Sequence, residues 1–424
     1  LTSSRLGVIH DLDSEGALDP VRVGAKAAWL ARARRAGIPV LPGLVVDSAA
    51  SMGHMALGAE ALAIRGSGGA RMAITAHPPP FADELVARTG RLGVVLVARS
   101  TTILEASGEW SGAFTSYLDV SPRDIPRAVT GCWASAFSVA ALERQTAVGV
   151  EPGSFSMAVL VQPALDPEAG GVARLKDDGT VMVTGVEGSP APLLQGWTRG
   201  HSGHELVEVI GNEATDAISD TLHHAHQATG GNRCEWALDD GKVWVLQLDR
   251  AEPAKRPTIT PGPVDPRLTR IARSVALTGG EPRAQSSEQV TGLRRGVGRW
   301  EPFLASVVLG NGTRIEGIAA SSGVGAGVVT RPDVGPGGPI PPRSVIAGGQ
   351  PVPNLAPLLW DAAAIVTETG SPAAHLFESA RALRVPAVCG VTIPAGDWIV
   401  AVDGQDGVVA MIPLFEEADS QTAT

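Results

Sequence analysis

The sequence predicts a multidomain protein that mixes α/β and α+β organisation, and three observations carry that expectation. Residues 361–390 read as strand, helix, strand: the apolar runs DAAAIV and VPAVC flank TETGSPAAHLFESARALR, the crossover of a β-α-β unit. Residues 233–249 read as an antiparallel hairpin, RCEWAL and VWVLQLD around an Asp-Asp-Gly-Lys turn. Between them EPAKRPTITPGPVDPR is a Pro-rich linker.

The chain has 424 residues, which suits about two to four domains. With 44 % hydrophobic and 18 % charged residues it can build sizeable cores, and the composition argues against general disorder. A net charge of −10 argues against nucleic acid as a partner. Cys132, Cys234 and Cys389 lie far apart without metal-ligand spacing and read as free thiols of a reducing compartment. The first residues lack an apolar signal core and no run approaches a membrane span, so a cytoplasmic protein with no membrane partner is expected.

Taken from the N-terminus, Gly24-Ala25-Lys26 precedes a helix over 27–36 with Trp29, Leu30 and Ala33 on one face; Gly37 caps it, and 38–46 continues extended. A lysine at a helix start suits either a nucleotide phosphate or plain solvent. Residues 48–90 read as helix, Gly-rich loop (Gly66, Gly68, Gly69) and helix. Residues 94–98 read as a buried strand that delivers Arg99, Ser100, Thr101 and then Glu105, a set that suits an anion better than a core. One amphipathic helix is expected over 123–148 with Cys132 in its core face, and a strand over 157–162. His201, His204, His223, His224 and His226 lack ligand geometry and read as structural or surface residues.

In the hairpin, a three-residue loop over 240–242 sets Glu235 opposite Gln247 and Arg233 opposite Asp249. A carboxylate and an amide oxygen converging in this way can hold Mg²⁺, which prefers oxygen donors. One or two basic helices around Leu293, Trp300 and Leu304 follow over 267–309. Residues 315–329 open a further domain, a Gly/Pro-rich loop covers 332–342, and 398–404 close the domain. Within it Ser371 is the expected N-cap and Pro372 the first helical residue, which puts His375 in the first turn. Amides without intrahelical partners and the positive end of the helix dipole gather there, a setting that suits either an ordinary polar residue on a helix end or an imidazole made anionic by phosphorylation.

These stretches resemble the PEP-utilising enzymes. Their phosphohistidine motif is T-x-x-G-G-x-x-[ST/C]-H-x-x-x-x-A-R-x-x-x-I-P-A-V-x-G, and Thr367, Gly370, His375, Ala380, Arg381, Pro386, Ala387, Val388 and Gly390 match it in register; Ser371 and Ala374 depart from it. The ATP-binding domain of phosphoenolpyruvate synthases and pyruvate phosphate dikinases is similar to Gly24-Ala25-Lys26, Leu30, Gly37-Ile38-Pro39-Val40, the Arg99 region, Trp110-Ser111-Gly112, 116–120, 157–162 and the hairpin. The resemblance fades after Gly171-Val172. It implies Lys26 and Arg99 on the phosphates, Ser111 and Gly112 in a loop over them, and Gln162 on the strand beneath adenine. It also implies Glu235 and Gln247 as metal ligands. Where the family has Asp and Arg across the hairpin, this chain has Arg233 and Asp249, so the pair is kept with its signs exchanged and Arg233 is the candidate phosphate contact.

The resemblance therefore implies an ATP-grasp-like nucleotide domain over 1–255, a linker with short helices over 256–312, a swivelling β/β/α phosphohistidine domain over 313–413 and a polar tail over 414–424. With ATP and Mg²⁺ as cofactors, it implies a dikinase-type phosphotransferase that phosphorylates His375, releases AMP and phosphate, and passes the phosphoryl group to a small organic acceptor. The chain reads as a truncated form without the PEP/pyruvate barrel, so the acceptor site is expected to be small, at a domain interface, or supplied by a partner chain. The alternatives are an ATP-dependent condensing enzyme resembling those of prodigiosin assembly, a phosphohistidine carrier subunit of a split PEP synthase-like system, or a degenerate relative that only binds nucleotide.

Overall fold

The computed structural model describes residues 7–107, 110, 112–176, 178–250, 259–278, 300–332 and 341–415. The chain forms two compact units: Leu1–Pro192 with Gly200–Ala251, and Leu193–Arg199 with Glu252–Thr424. The multidomain, mixed helix-and-sheet class is the one the sequence predicts.

The first unit is built on two antiparallel sheets. One runs in the order β1-β2-β5-β3-β4, from β1 (Ile9–Asp11), β2 (Leu44–Val46), β3 (Leu96–Thr101), β4 (Ser116–Val120) and β5 (Ala158–Pro163). The other runs β10-β9-β6-β7-β8, from β6 (Ala169–Leu175), β7 (Val181–Glu187), β8 (His201–Ser202), β9 (Arg233–Asp239) and β10 (Lys242–Asp249). The alanine-rich helix Pro20–Arg35 packs on the second sheet through Val23, Ala27, Ala28, Leu30 and Ala31, which meet Trp236, Leu238 and Val245. Small side chains on that face let the helix come close to the strands. The long helix His204–Thr229 adds Ile218, Leu222 and Ala225 to the same core. A second core joins Met55, Ile74, Trp133 and Phe137 to Val159 and Val161 of β5.

Several elements differ from the sequence expectation. Val94 and Val95 are exposed, and the strand begins only at Leu96, where the chain joins β5. The helix expected over 123–148 is broken into Ile125–Ala134, a short 3₁₀ turn Ser135–Phe137 and Val139–Val148, because Ser138 turns extended and caps the last piece through the Ala141 amide. The Gly-rich patch is no loop: it lies inside the helix Met52–Thr75, which is interrupted at Gly66.

The second unit holds one eight-stranded sheet, ordered β11-β18-β17-β13-β14-β15-β16-β12, from β11 (Thr313–Glu316), β12 (Ile318–Ser321), β13 (Val324–Thr330), β14 (Val345–Gly348), β15 (Ala364–Thr367), β16 (Ala387–Cys389), β17 (Trp398–Asp403) and β18 (Val408–Pro413). β13, β14, β15 and β16 run parallel, and the helix His375–Ala382 crosses from β15 to β16, as the apolar pattern indicates. β18, absent from the sequence reading, pairs with both β17 and β11. The expected basic helices appear as Pro266–Thr278 and 300–311; Leu293 and most of the Gly/Pro-rich loop lie outside the described residues. Among the described residues no helix is long and apolar enough to cross a membrane.

Candidate active site

The helix carrying Lys26 is not continuous. Gly24 adopts φ +76°, and the Ala25 amide donates to the Thr102 carbonyl, so a fresh helical start falls just before Lys26, against the end of β3. Gly24 is required there: a Cβ would stand 2.3 Å from Thr101 Oγ1 and 2.4 Å from its carbonyl carbon. Lys26 Nζ lies 2.6 Å from Glu105 Oε1. Burial lifts the Glu105 carboxyl above its usual range, against the pull of Lys26 and the Thr102 amide. Lys26 is therefore held by an internal carboxylate rather than extended into solvent.

Arg99, two residues upstream of Thr101 on β3, reaches the other sheet: Nη1 donates to the Leu246 carbonyl at 2.8 Å. Burial pushes its guanidinium below the ordinary arginine value, while the Glu235 carboxylate acts the other way. Leu246 accepts this bond because the hairpin bulges at that point. The turn is two residues long, not three: Asp239 pairs with Lys242, and Asp240 and Gly241 both take positive φ, as a primed turn requires. Continued regularly, that register would put Leu246 opposite Glu235 and turn Gln247 toward Cys234 in the core. The extra residue between Val245 and Gln247 resets it, so Glu235 faces Gln247 and Arg233 faces Asp249 after all. The bulge is what builds the site.

Alternate residues of β9 share a face, so Arg233 and Glu235 lie together, opposite in direction to the core residues Cys234 and Trp236. Arg233 grips Asp249 with two hydrogen bonds, Nε to Oδ1 at 2.9 Å and Nη2 to Oδ2, and Gln247 Nε2 donates to Asp249 Oδ2 at 3.2 Å. Burial opposes the charge of Arg233, but the attraction and hydrogen bonds of Asp249, with Glu235, outweigh it and raise its pKa. Glu235 is 6 % exposed, and its Oε1 is buried with no hydrogen-bond partner among the described residues. A buried, unsatisfied carboxylate oxygen on a residue whose cross-strand partner is a glutamine is a donor set that fits Mg²⁺, which commonly takes one or two carboxylates and completes its shell with phosphates and water.

Two features escaped the sequence reading. Arg174 on β6 pairs with Arg233 and joins the same polar face; burial, with Arg233 adding to it and Asp249 opposing, pushes its pKa down to about 10. Its signal was the alternation along AGGVARL, which puts Val172 and Arg174 on the face of Glu235 and Arg233. The other is a small apolar cluster of Leu41, Ala237 and Leu246 with Leu165 and Trp244 packed against it. Gln162 is 4 % exposed at the end of β5, and its amide donates to the Leu41 carbonyl at 3.0 Å. Gly112 is exposed at φ +66°, beside the buried Trp110; Ser111 lies outside the described residues.

In the second unit, the helix starts three residues later than expected. Ser371 Oγ accepts from the Ala373 amide and closes a separate turn, while Ala374, extended at φ −63°, ψ 143°, precedes a helix whose first residue is His375. Phe377 and Glu378 donate to the Ala374 carbonyl. Leu376, Phe377 and Ala380 bury the helix against Ile365 and Ala387 of the flanking strands. Arg381 Nη1 binds the Pro372 and Ala320 carbonyls at 2.9 and 2.7 Å, which fixes the turn before His375 to β12. The His375 ring keeps 20 % exposure, and its Nδ1 lies 3.2 Å from Oε2 of Glu378, which is 3 % exposed. Among the described residues no group of three or more His, Cys, Asp or Glu gathers as a metal cluster.

Two family models match. Residues 80–196 match the pyruvate phosphate dikinase AMP/ATP-binding domain, and residues 340–407 match the PEP-utilising enzyme mobile domain. Arg99 and Gln162 fall inside the first match and His375 inside the second, whereas Lys26 and the hairpin lie outside both. The chain is 21 % identical over 343 residues to a probable phosphoenolpyruvate synthase of Archaeoglobus fulgidus, covering 74 % of this chain and 43 % of that protein. It is 23 % identical over 450 residues to a probable phosphoenolpyruvate synthase of Methanothermobacter thermautotrophicus, covering 95 % of this chain and 64 % of that one. The chain thus spans less than two thirds of either relative. Among solved structures, a biotin carboxylase of Campylobacter jejuni shares 12 % identity over 56 % of this chain and 42 % of its own, with a TM-score of 0.30. A nucleotide-binding match is thus followed along the chain by a mobile-domain match, and in both parts the chain is similar to the PEP-utilising enzymes.

Proposed function

We propose that this chain is an ATP-dependent phosphotransferase of the dikinase type, which phosphorylates His375 and passes the phosphoryl group to a small organic acceptor. The observation that carries the reading is the polar face of β9 and β10. A buried carboxylate with an unsatisfied oxygen, an amide and a guanidinium meet there, beside Arg99 anchored on the bulge. Arg99, Arg174 and Arg233 bring positive charge to a nucleotide triphosphate, Lys26 is kept close to β3 by Glu105, and the apolar cluster around Leu41 and Leu246 suits a base. Glu235 and Gln247 are the residues that would hold Mg²⁺, which when bound neutralises phosphate charge.

His375 then receives one phosphoryl group, and with water as co-substrate the nucleotide leaves as AMP and phosphate. The anionic phosphoryl oxygens gain from the amides at the helix start. The acceptor site is small, or a partner chain supplies it. The test is a product balance: purified protein with Mg-ATP should form one AMP per phosphorylated chain before any acceptor is added. ADP as the sole nucleotide product, or turnover with no protein-bound phosphate, would refute the dikinase reading.

A further inference from the structure

We propose that Glu378 is the positioning residue of His375: it holds the hydrogen on Nδ1 and leaves Nε2 as the atom that takes the phosphoryl group. This rests on the phosphotransferase reading above.

His375 and Glu378 are the first and fourth residues of one helix, so their side chains share a face. Oε2 stands 3.2 Å from Nδ1, and the carboxylate side of the contact is the interior one, at 3 % exposure against 20 % for the ring. A glutamate on the first turn of a short helix ordinarily points to water. This one is buried in a helix whose neighbours, Leu376, Phe377 and Ala380, are core, and a carboxylate so placed needs a polar partner. The residue before the histidine, Ala374, has no hydrogen-bonding side chain, so this polar contact to the ring comes from within the helix. An ionised carboxylate only accepts, and the hydrogen bond made by one imidazole nitrogen decides which nitrogen carries the proton.

With Nδ1 protonated, Nε2 has a lone pair and no hydrogen. The bond from Nε2 to the β-phosphorus forms as the bond from that phosphorus to the oxygen shared with the α-phosphate breaks, the electron pair leaves on AMP, and water cleaves the β–γ bond so that the γ group departs as phosphate. No proton has to depart from the attacking nitrogen. The positive charge the ring acquires is met by Glu378 at Nδ1–H, the role a carboxylate takes behind a reacting histidine elsewhere.

The test uses the full chain labelled with nitrogen-15 histidine, with the His375 signals assigned by difference from His375→Asn. Without nucleotide, the wild type should have Nδ1 protonated and Nε2 bare. Glu378→Gln, whose amide oxygen can accept the same hydrogen, should keep that tautomer. Glu378→Leu should move the proton to Nε2 and slow phosphoenzyme formation by about 10- to 100-fold. The phosphoenzyme should carry its phosphorus on Nε2. A wild type protonated on Nε2, phosphorus on Nδ1, or a Glu378→Leu protein unchanged in tautomer and rate would overturn the proposal. If Glu378→Leu does not fold, the wild-type tautomer and Glu378→Gln decide it. The tautomer is read without ATP, so a protein that shows the expected tautomers and never labels would contradict the phosphotransferase reading and leave the positioning role standing.

Discussion

Arg233 and Asp249 stand opposite each other on β9 and β10, the guanidinium gripping the carboxylate with two hydrogen bonds, in a hairpin whose register depends on a bulge one residue before Gln247. Arg233 is 8 % and Asp249 25 % exposed in their side chains, so the pair is largely desolvated. Removing Asp249 takes from the buried guanidinium its two-bond carboxylate partner. Asp249→Ala should therefore cost about 3–5 kcal/mol in unfolding free energy. Arg233→Asp alone should cripple phosphoenzyme formation, and Arg233→Asp with Asp249→Arg should recover much of it. Intact labelling in the single variant would take Arg233 out of the nucleotide site.

The same pair gives a pH dependence. Burial works against the Asp249 charge, but Arg233 outweighs it and holds the carboxyl below its ordinary value of 3.8. A depressed carboxyl contributes stability that is fully present above its unfolded value and is lost as pH falls through the folded one. The stability gap between wild type and Asp249→Asn should be constant across neutral pH and close only in acid below about 3.8. A gap that closes near neutrality would contradict the pairing.

Glu235 combines burial with an oxygen that has no hydrogen-bond partner among the described residues, a cost that the Arg99 and Arg233 charges offset and a bound cation would remove. Glu235→Gln should leave the unfolding free energy without Mg²⁺ unchanged or raise it by about 1 kcal/mol, while abolishing Mg²⁺-dependent phosphoenzyme formation. A variant that still labels at saturating Mg-ATP would reduce the hairpin to a structural element.

Gly24 and Gly37 bracket the Lys26 helix, and both have positive φ. At Gly24 an added Cβ collides with Thr101, whereas at Gly37 nothing lies within 4 Å. Gly24→Ala should cost about 3 kcal/mol, Gly37→Ala about 1 kcal/mol, measured by denaturant unfolding. Equal costs would mean that the close approach of the helix start to β3 is dispensable.

The sequence was legible where pattern and geometry coincide. Apolar runs on either side of His375 became β15 and β16, and the cross-hairpin pairs Glu235–Gln247 and Arg233–Asp249 were named from spacing alone. That second success had the wrong cause: a three-residue loop was expected, and a two-residue turn plus a bulge at Leu246 gives the same pairing. Bulges leave little trace in a sequence, because the extra residue is as apolar as its neighbours. The helix start at His375 was misread because Ser371 and Pro372 are good start signals in any turn, and Ser371 Oγ was already committed to Ala373. Ser138 ended a helix that periodicity alone would continue. Arg174 and Glu378 became visible only when strand pairing and helix register brought them beside Arg233 and His375.

The measurement that tests the central claim most directly is the fate of label from [β-³²P]ATP and [γ-³²P]ATP on the purified full chain with Mg²⁺. The β label should enter the protein as an acid-labile, alkali-stable phosphate, mapped by mass spectrometry to His375, with the γ label released as phosphate and with no incorporation in His375→Asn. Undiminished incorporation in His375→Asn, or protein-bound phosphate at another residue, would contradict the account.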